Sequence, residues 1–171
     1  MAEGTTQLGW EDLKKMVAEV GSDQGPGSKE WQAAGSETQR VNDLFMQELR
    51  ENNGKLTGEL AGLQALIITT TGVKTGQPRT VPLGYQVVDG RLFIVASMAG
   101  AKRNPPWFYN LVKHPEVIVE KNGERFVATA VVMAGDERDV VFQKICEGEP
   151  TFGQYQTRTD RVIPVIELQR K

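Results

Sequence analysis

A chain of 171 residues, 39% hydrophobic and 25% charged, has the composition of a water-soluble globular protein and is long enough to bury one core. Its net charge of −2 argues against general electrostatic binding of nucleic acid, so no nucleic-acid partner is expected and any anion must be held by local basic loops. Met1-Ala2-Glu3-Gly4 opens neither a basic nor an apolar signal region, and no stretch approaches the roughly 20 apolar residues of a membrane span. Cys146 is the sole cysteine and has no internal disulfide partner, so a reducing cytoplasm is the expected location, with loose peripheral membrane contact as the alternative.

In chain order, Leu8, Trp10, Leu13, Met16, Val17 and Val20 fall near helical spacing, and the segment from Gly21 to Gly27, with Pro26, breaks the pattern. Ser36-Glu37-Thr38-Gln39 has the capping-box form, and Val41, Leu44, Phe45 and Leu49 give the stripe of a second helix ending near Asn52-Asn53-Gly54. Residues 1–35 therefore read as a helical extension with a Gly/Pro hinge, and residues 36–171 as the main domain. Both stripes are packing faces in the plainer reading; a lid over a hydrophobic substrate, closed by the region of Trp10 and Trp31, is the functional one.

From Leu66 the period switches to two. Asp89-Gly90 separates Gly84–Val88 from Arg91–Ala96, and Asn122-Gly123 separates Val117–Glu120 from Arg125–Val132, which predicts two antiparallel hairpins. With strands at Leu66–Thr71 and Ile163–Leu168 the count is about six, enough to curl into a barrel, with helices near Pro105–Val112 and Asp136–Glu147 outside it. The fold class is mainly β or α+β.

Three clusters carry chemistry. Thr69-Thr70-Thr71-Gly72-Val73-Lys74-Thr75-Gly76-Gln77-Pro78-Arg79 breaks from a strand into a loop with two glycines and two cations, an arrangement suited to a phosphate or carboxylate. It lacks the Gly-Lys-Ser/Thr ending of a Walker loop. Ser97-Met98-Ala99-Gly100-Ala101-Lys102-Arg103 is a second cationic loop, and Pro105 and Pro106 suit the helix start that follows it. Phe152 to Arg161 places a phenol, Tyr155, and two arginines before the last strand. Solvated surface charge is the plainer reading of the lysines and arginines. Cys146 sits in a helical pattern as a structural thiol, and His114 is the only histidine, so neither a metal site nor a Ser-His triad is expected.

Thr-Thr-Gly-x-Lys-Thr-Gly-Gln-Pro-Arg at Thr70 to Arg79, Ala-Ser-x-x-Gly-Ala at Ala96 to Ala101, Asn-Pro-x-Trp-x-x-Asn-Leu at Asn104 to Leu111, and Tyr-Gln-x-Arg-Thr-Asp-Arg-x-Ile-Pro-Val at Tyr155 to Val165 resemble the deazaflavin-dependent nitroreductase family, in order and spacing, over about Leu63 to Leu168. The resemblance implies a split β-barrel that binds coenzyme F420, an 8-hydroxy-5-deazaflavin with a phosphate and an oligoglutamate tail, without a metal. It maps phosphate binding to Lys74, Arg79 and Arg103 with Asn110, and adds Thr75, Pro82, Met98, Ala101 and Lys102 as cofactor contacts. Lys102 stands where the family often has proline. Backbone at Ser97 to Gly100 and the side chain of Trp107 would flank the ring, with core packing the plainer reading of Trp107.

The implied activity is hydride transfer from the reduced deazaflavin to an electron-poor small molecule: a quinone, a conjugated enone or lactone, or a nitro compound. Tyr155 and Ser97 are the hydroxyls available to donate to the substrate. Relatives that reduce bicyclic nitroimidazoles carry Tyr-Pro-x-Tyr-x-x-Tyr, where this chain has Glu149-Pro150-Thr151-Phe152-Gly153-Gln154-Tyr155, so nitroimidazole reduction is expected to be weak and Glu149 to leave room for a polar substrate. An FMN enzyme on a related barrel and a non-catalytic deazaflavin carrier are the alternatives. A homodimer is a family expectation.

Overall fold

The computed structural model describes residues 29–171. The predicted first helix, the Gly21 to Gly27 hinge, Trp10 and the side chain of Trp31 lie outside the described residues. Helix α1 spans Lys29–Glu51, beginning seven residues before the predicted start at Ser36. The reason is propensity: Lys29, Glu30, Gln32, Ala33 and Ala34 are good helix formers, so the capping-box residues fall inside a helix already under way. Its end is where the sequence predicts it, with Asn53 and Gly54 at positive φ (53° and 83°) and the Gly54 N–H donating to Leu49 O at 2.6 Å.

Seven antiparallel strands follow: β1 Ala65–Thr71, β2 Pro78–Gly84, β3 Gln86–Val88, β4 Arg91–Val95, β5 Glu116–Lys121, β6 Glu124–Val132 and β7 Val165–Arg170. Their order in the sheet is β2-β1-β5-β6-β7-β4-β3. The predicted six became seven because Pro78, Pro82 and Gly84 disguise β2, a strand at one edge of the sheet that tolerates proline. β2 continues through Tyr85 into β3, so one extended segment pairs with β1 by its first part and with β4 by its second. That bends the sheet into a half-barrel. The two predicted hairpins stand, with Asp89-Gly90 and Asn122-Gly123 all at positive φ, as two-residue turns between twisted strands require. The last strand starts at Val165 rather than Ile163, after Pro164.

Strand alternation divides the apolar residues into layers. Leu66 and Ile68 of β1 face the interior with Ile94, Val119, Ala128 and Ile166, and helix α2 (Pro106–Lys113) adds Trp107 and Leu111 to that core. On the outside, Phe45, Met46 and Leu49 of α1 cover Ala65 and Ile67. Helix α3 (Gly135–Gly148) packs Val141 and Ile145 on Phe93 and Val165. Each such side chain taken from water contributes roughly 1.5–3 kcal/mol. A further helix, α4 (Thr151–Thr157), has no counterpart among the predicted elements: its seven residues are too few to show a periodic stripe.

The antiparallel pairings place the C-terminal end of β1, the start of β2, the C-terminal end of β4 and the start of β7 at one end of the barrel. The loops carrying all three sequence clusters leave the sheet there.

Candidate functional site

The first wall of this end is the β1–β2 loop. Gly72 N–H donates to Gln77 O at 2.8 Å, Gly76 N–H to Gly72 O at 2.9 Å, and Gln77 N–H to Thr75 Oγ1 at 3.2 Å, so the loop is a closed turn. A Cβ on Gly72 would lie 3.0 Å from Thr75 Oγ1 and 3.2 Å from Gln77 O, which leaves almost no room for any other residue. Buried Asn110 of α2 fastens the loop to the barrel: its Nδ2 donates to Thr70 Oγ1 at 3.1 Å and its Oδ1 accepts from Val73 N–H at 3.2 Å. Lys74 and Arg79 project from this braced turn as exposed cations.

The second wall runs from Ala96 to Pro105. Met98, Ala99 and Gly100 have consecutive positive φ values of 44°, 53° and 80°. A left-handed conformation costs a non-glycine residue roughly 1–2 kcal/mol, so the surrounding structure must hold this turn. Gly100 N–H donates to Ser97 O at 2.9 Å and Ala101 N–H to Met98 O at 3.0 Å. Helix α4 lies directly against it: a Cβ on Gly100 would stand 2.5 Å from Tyr155 O and 2.9 Å from Arg158 Cβ. Pro105 is the residue before α2 and Pro106 its first, as the sequence predicts.

The third wall is α4 and the segment leading to β7. Arg161 donates from Nε to Ala101 O (2.8 Å), from Nη1 to Ala96 O (3.1 Å) and Asn104 Oδ1 (2.8 Å), and from Nη2 to Ser97 O (2.7 Å). Burial lowers its pKa, yet a guanidinium stays charged throughout the physiological range. Buried Arg138 of α3 binds Ile163 O at 2.7 Å and Gln156 Oε1 at 3.3 Å, and Gln156 Nε2 donates to Arg161 O at 2.8 Å. Tyr155 is half-buried, with the Arg158 guanidinium 5.5 Å from its ring centroid. Burial raises its phenol pKa; Arg158 opposes this and Glu149 adds to it, so the phenol is a proton carrier at neutral pH.

Of the sequence-predicted residues, the structure puts Lys74 and Thr75 on one loop, Arg79 at the start of β2 that follows it, and Ser97, Met98, Gly100, Ala101, Lys102 and Arg103 on the next loop, with Tyr155 on the helix packed against the second. Thr75 and Asn110 spend their side-chain groups on the protein, so they shape the loop. Two residues stand apart. Pro82 pairs with Ile67, a residue of the outer layer under α1, on the sheet face opposite to the interior-facing Val81 and Leu83. Trp107 is 9% exposed and belongs to the barrel core. Glu149 Oε1 accepts from Thr151 Oγ1 at 2.7 Å at the start of α4.

Sequence reasoning missed Arg138, Gln156 and the bonding of Arg161. The Arg-Thr-Asp-Arg run flagged the last; Arg138, placed among charged residues at the start of a helix, gives no sign of being buried.

None of Lys74, Arg79, Lys102, Arg103, Arg158 and Arg161 forms an ion pair with a carboxylate among the described residues. A cluster of cations without carboxylate partners at the end of a split barrel has the chemistry to receive an anionic ligand. The family described as F420H(2)-dependent quinone reductase matches residues 41–169, and the chain belongs to it. A quinone reductase of that description from Mycobacterium tuberculosis is 36% identical over 126 residues, 71% of this chain and 85% of that one. Among solved structures, an F420H2-dependent reductase, FDR-A, is similar with a TM-score of 0.56 and 35% identity, over 61% of this chain and 93% of that chain. A second, described as a domain-swapped dimer, gives 0.59 and 30% over 82% and 100%.

The protein is thus an enzyme, an oxidoreductase that uses coenzyme F420 and acts on quinones. The residues present fit that cofactor: a phosphate and carboxylate tail needs unpaired cations on a firm backbone, and this end of the barrel supplies both. No group of three or more His, Cys, Asp or Glu side chains among the described residues could hold a metal.

Proposed function

We propose that Lys74, Arg79 and Arg103 hold the cofactor's phosphate, with Lys102 a further cation beside it, and that the backbone from Ser97 to Gly100 lines the ring. When bound, the reduced deazaflavin supplies a two-electron donor poorly suited to single-electron chemistry. The chain's own task is to bind, orient and protonate. The observation that carries this reading is the set of exposed cations at and beside two braced loops at one barrel end, with no carboxylate among the described residues paired to them. A charge-assisted contact of this type contributes about 1.5–3 kcal/mol, or roughly tenfold to a hundredfold in affinity.

Tyr155, a phenol protonated at neutral pH whose pKa burial raises further, is the candidate to donate a hydrogen bond to a quinone oxygen, and the Ser97 hydroxyl is the other. Phe152 keeps an aromatic surface beside Tyr155, with ring centroids 6.2 Å apart, but packs against the α3 layer and has no proton to give. Quinones and conjugated carbonyls are therefore the acceptor class, and nitroimidazoles are turned over weakly. Steady-state oxidation of reduced F420 by a quinone, an enone and a bicyclic nitroimidazole tests this. Tyr155→Phe should lower kcat/KM for the quinone about tenfold while cofactor affinity stays within about twofold. Robust nitroimidazole turnover would overturn the acceptor assignment, and an unchanged Tyr155→Phe would remove that phenol from the chemistry.

A cytoplasmic site of action suits the single cysteine. Among the described residues no helix is long and apolar enough to cross a membrane.

A further inference from the structure

The residue that most strongly organises the ring-facing turn is itself none of the cofactor contacts. We propose that Arg161 is a positioning residue for the cofactor site, holding the left-handed turn at Met98–Gly100 in the one conformation that presents its backbone to the deazaflavin. The proposal rests on the F420 reading of this end of the barrel.

Four of the five guanidinium N–H donors are accounted for by four oxygens that span the whole loop: Ala96 at the end of β4, Ser97 and Ala101 on either side of the turn, and Asn104 before α2. The three residues between Ser97 and Ala101 are the ones at positive φ, so the arginine grips both ends of the strained stretch. Its grip is rigid because its own backbone is fixed: Arg161 O accepts from Gln156 Nε2 at 2.8 Å, and Gln156 Oε1 accepts from Ile163 N–H at 3.0 Å and from Arg138. All acceptors are carbonyl or amide oxygens, and no carboxylate pairs with Arg161 among the described residues. Its full charge therefore remains beneath the loop that faces an anionic ligand. A lysine cannot replace it, because one ammonium cannot span acceptors laid out for a planar fork.

The test compares the full-length protein with Arg161→Gln, Arg161→Lys and the milder Asn104→Ala, which removes one acceptor. Amide exchange of the protein without cofactor is read at Gly100 and Ala101, against the sheet residues Ile67 and Ile166, and affinity is read by titration with oxidised F420. Both Arg161 variants should exchange at Gly100 and Ala101 at least tenfold faster with the sheet within about twofold, and should bind F420 at least tenfold more weakly. Asn104→Ala should move the same way by less, and it carries the test if the Arg161 variants do not fold. Unchanged exchange at the turn, affinity within about twofold, full rescue by lysine, or a uniform rise across the sheet would each overturn the proposal. If the parent protein binds no F420, the cofactor reading falls, and the exchange at Gly100 and Ala101 still decides whether Arg161 orders the turn.

Discussion

Four cations on the body of the barrel are tied to carboxylates, whereas the cations described at its open end are not. Arg50 is held by both oxygens of Glu120 at 3.0 and 2.9 Å, Arg91 by Glu167 at 2.7 Å, Lys144 by Asp89 at 2.7 Å and Arg170 by Glu124 at 2.8 Å. At the open end Lys74, Arg79, Lys102 and Arg103 have no such partner among the described residues, and four of Arg161's five donors go to neutral oxygens. A folded surface with 22 acidic against 20 basic residues has carboxylates enough to pair them. Cations left without a carboxylate partner at one end give positive potential for a ligand to neutralise, which teaches that pairing, as well as charge, marks a binding surface.

The sharpest way to break the contrast is to remove the unpaired charge. Lys74→Ala with Arg79→Ala should weaken F420 binding by about a hundredfold or more, leave stability within about 0.5 kcal/mol, and flatten the salt dependence of binding. Calorimetric titration at two ionic strengths checks it; affinity within threefold of the parent would show that these charges are merely solvated.

The brace beneath the charges is tested by Gly100→Ala. The added Cβ would meet Tyr155 O at 2.5 Å on a residue with φ of 80°, so the turn must part from α4 at a cost of about 1–3 kcal/mol, with F420 affinity falling as well. The matching change at Gly76, also at positive φ (68°) but with nothing within 4 Å, should cost only the backbone strain. Equal thermal shifts for the two would refute the role given to the contact.

On the paired side the effect is smaller and pH-dependent. The hydrogen bond from Arg91 holds the Glu167 carboxyl below its ordinary pKa, partly offset by burial and aided by Gln169. A depressed carboxylate contributes stability that is fully present above its unfolded pKa and is lost as pH falls through the folded value. Glu167→Gln should therefore lower the melting temperature at pH 7 and narrow its gap from the parent as the solution is acidified below about pH 4.5. A gap that stays constant with pH would mean that packing, not charge, is lost.

The sequence is legible where local chemistry decides the conformation. Asp89-Gly90 and Asn122-Gly123 announced their hairpins because few other pairs accept two positive φ values, and the Thr70 to Arg79 and Ala96 to Ala101 motifs located both cationic loops. β2 was hidden because Pro78 and Pro82 argue against a strand unless its place at a sheet edge is already known. Trp107 could not be assigned from the chain, since an aromatic on a short helix serves a core or a ring equally well; the structure puts it in the core. Arg138, Gln156 and Arg161 were illegible as a network because most of their acceptors are backbone oxygens, and no residue type marks those.

The most direct measurement is a fluorescence titration of the full-length protein with oxidised F420 and, in parallel, with FMN, repeated on Lys74→Ala. Selective micromolar or tighter binding of the deazaflavin, weakened tenfold to a hundredfold by Lys74→Ala, is the result predicted from the unpaired cations at the barrel's open end. Preference for FMN, binding of neither, or affinity indifferent to Lys74 would contradict it.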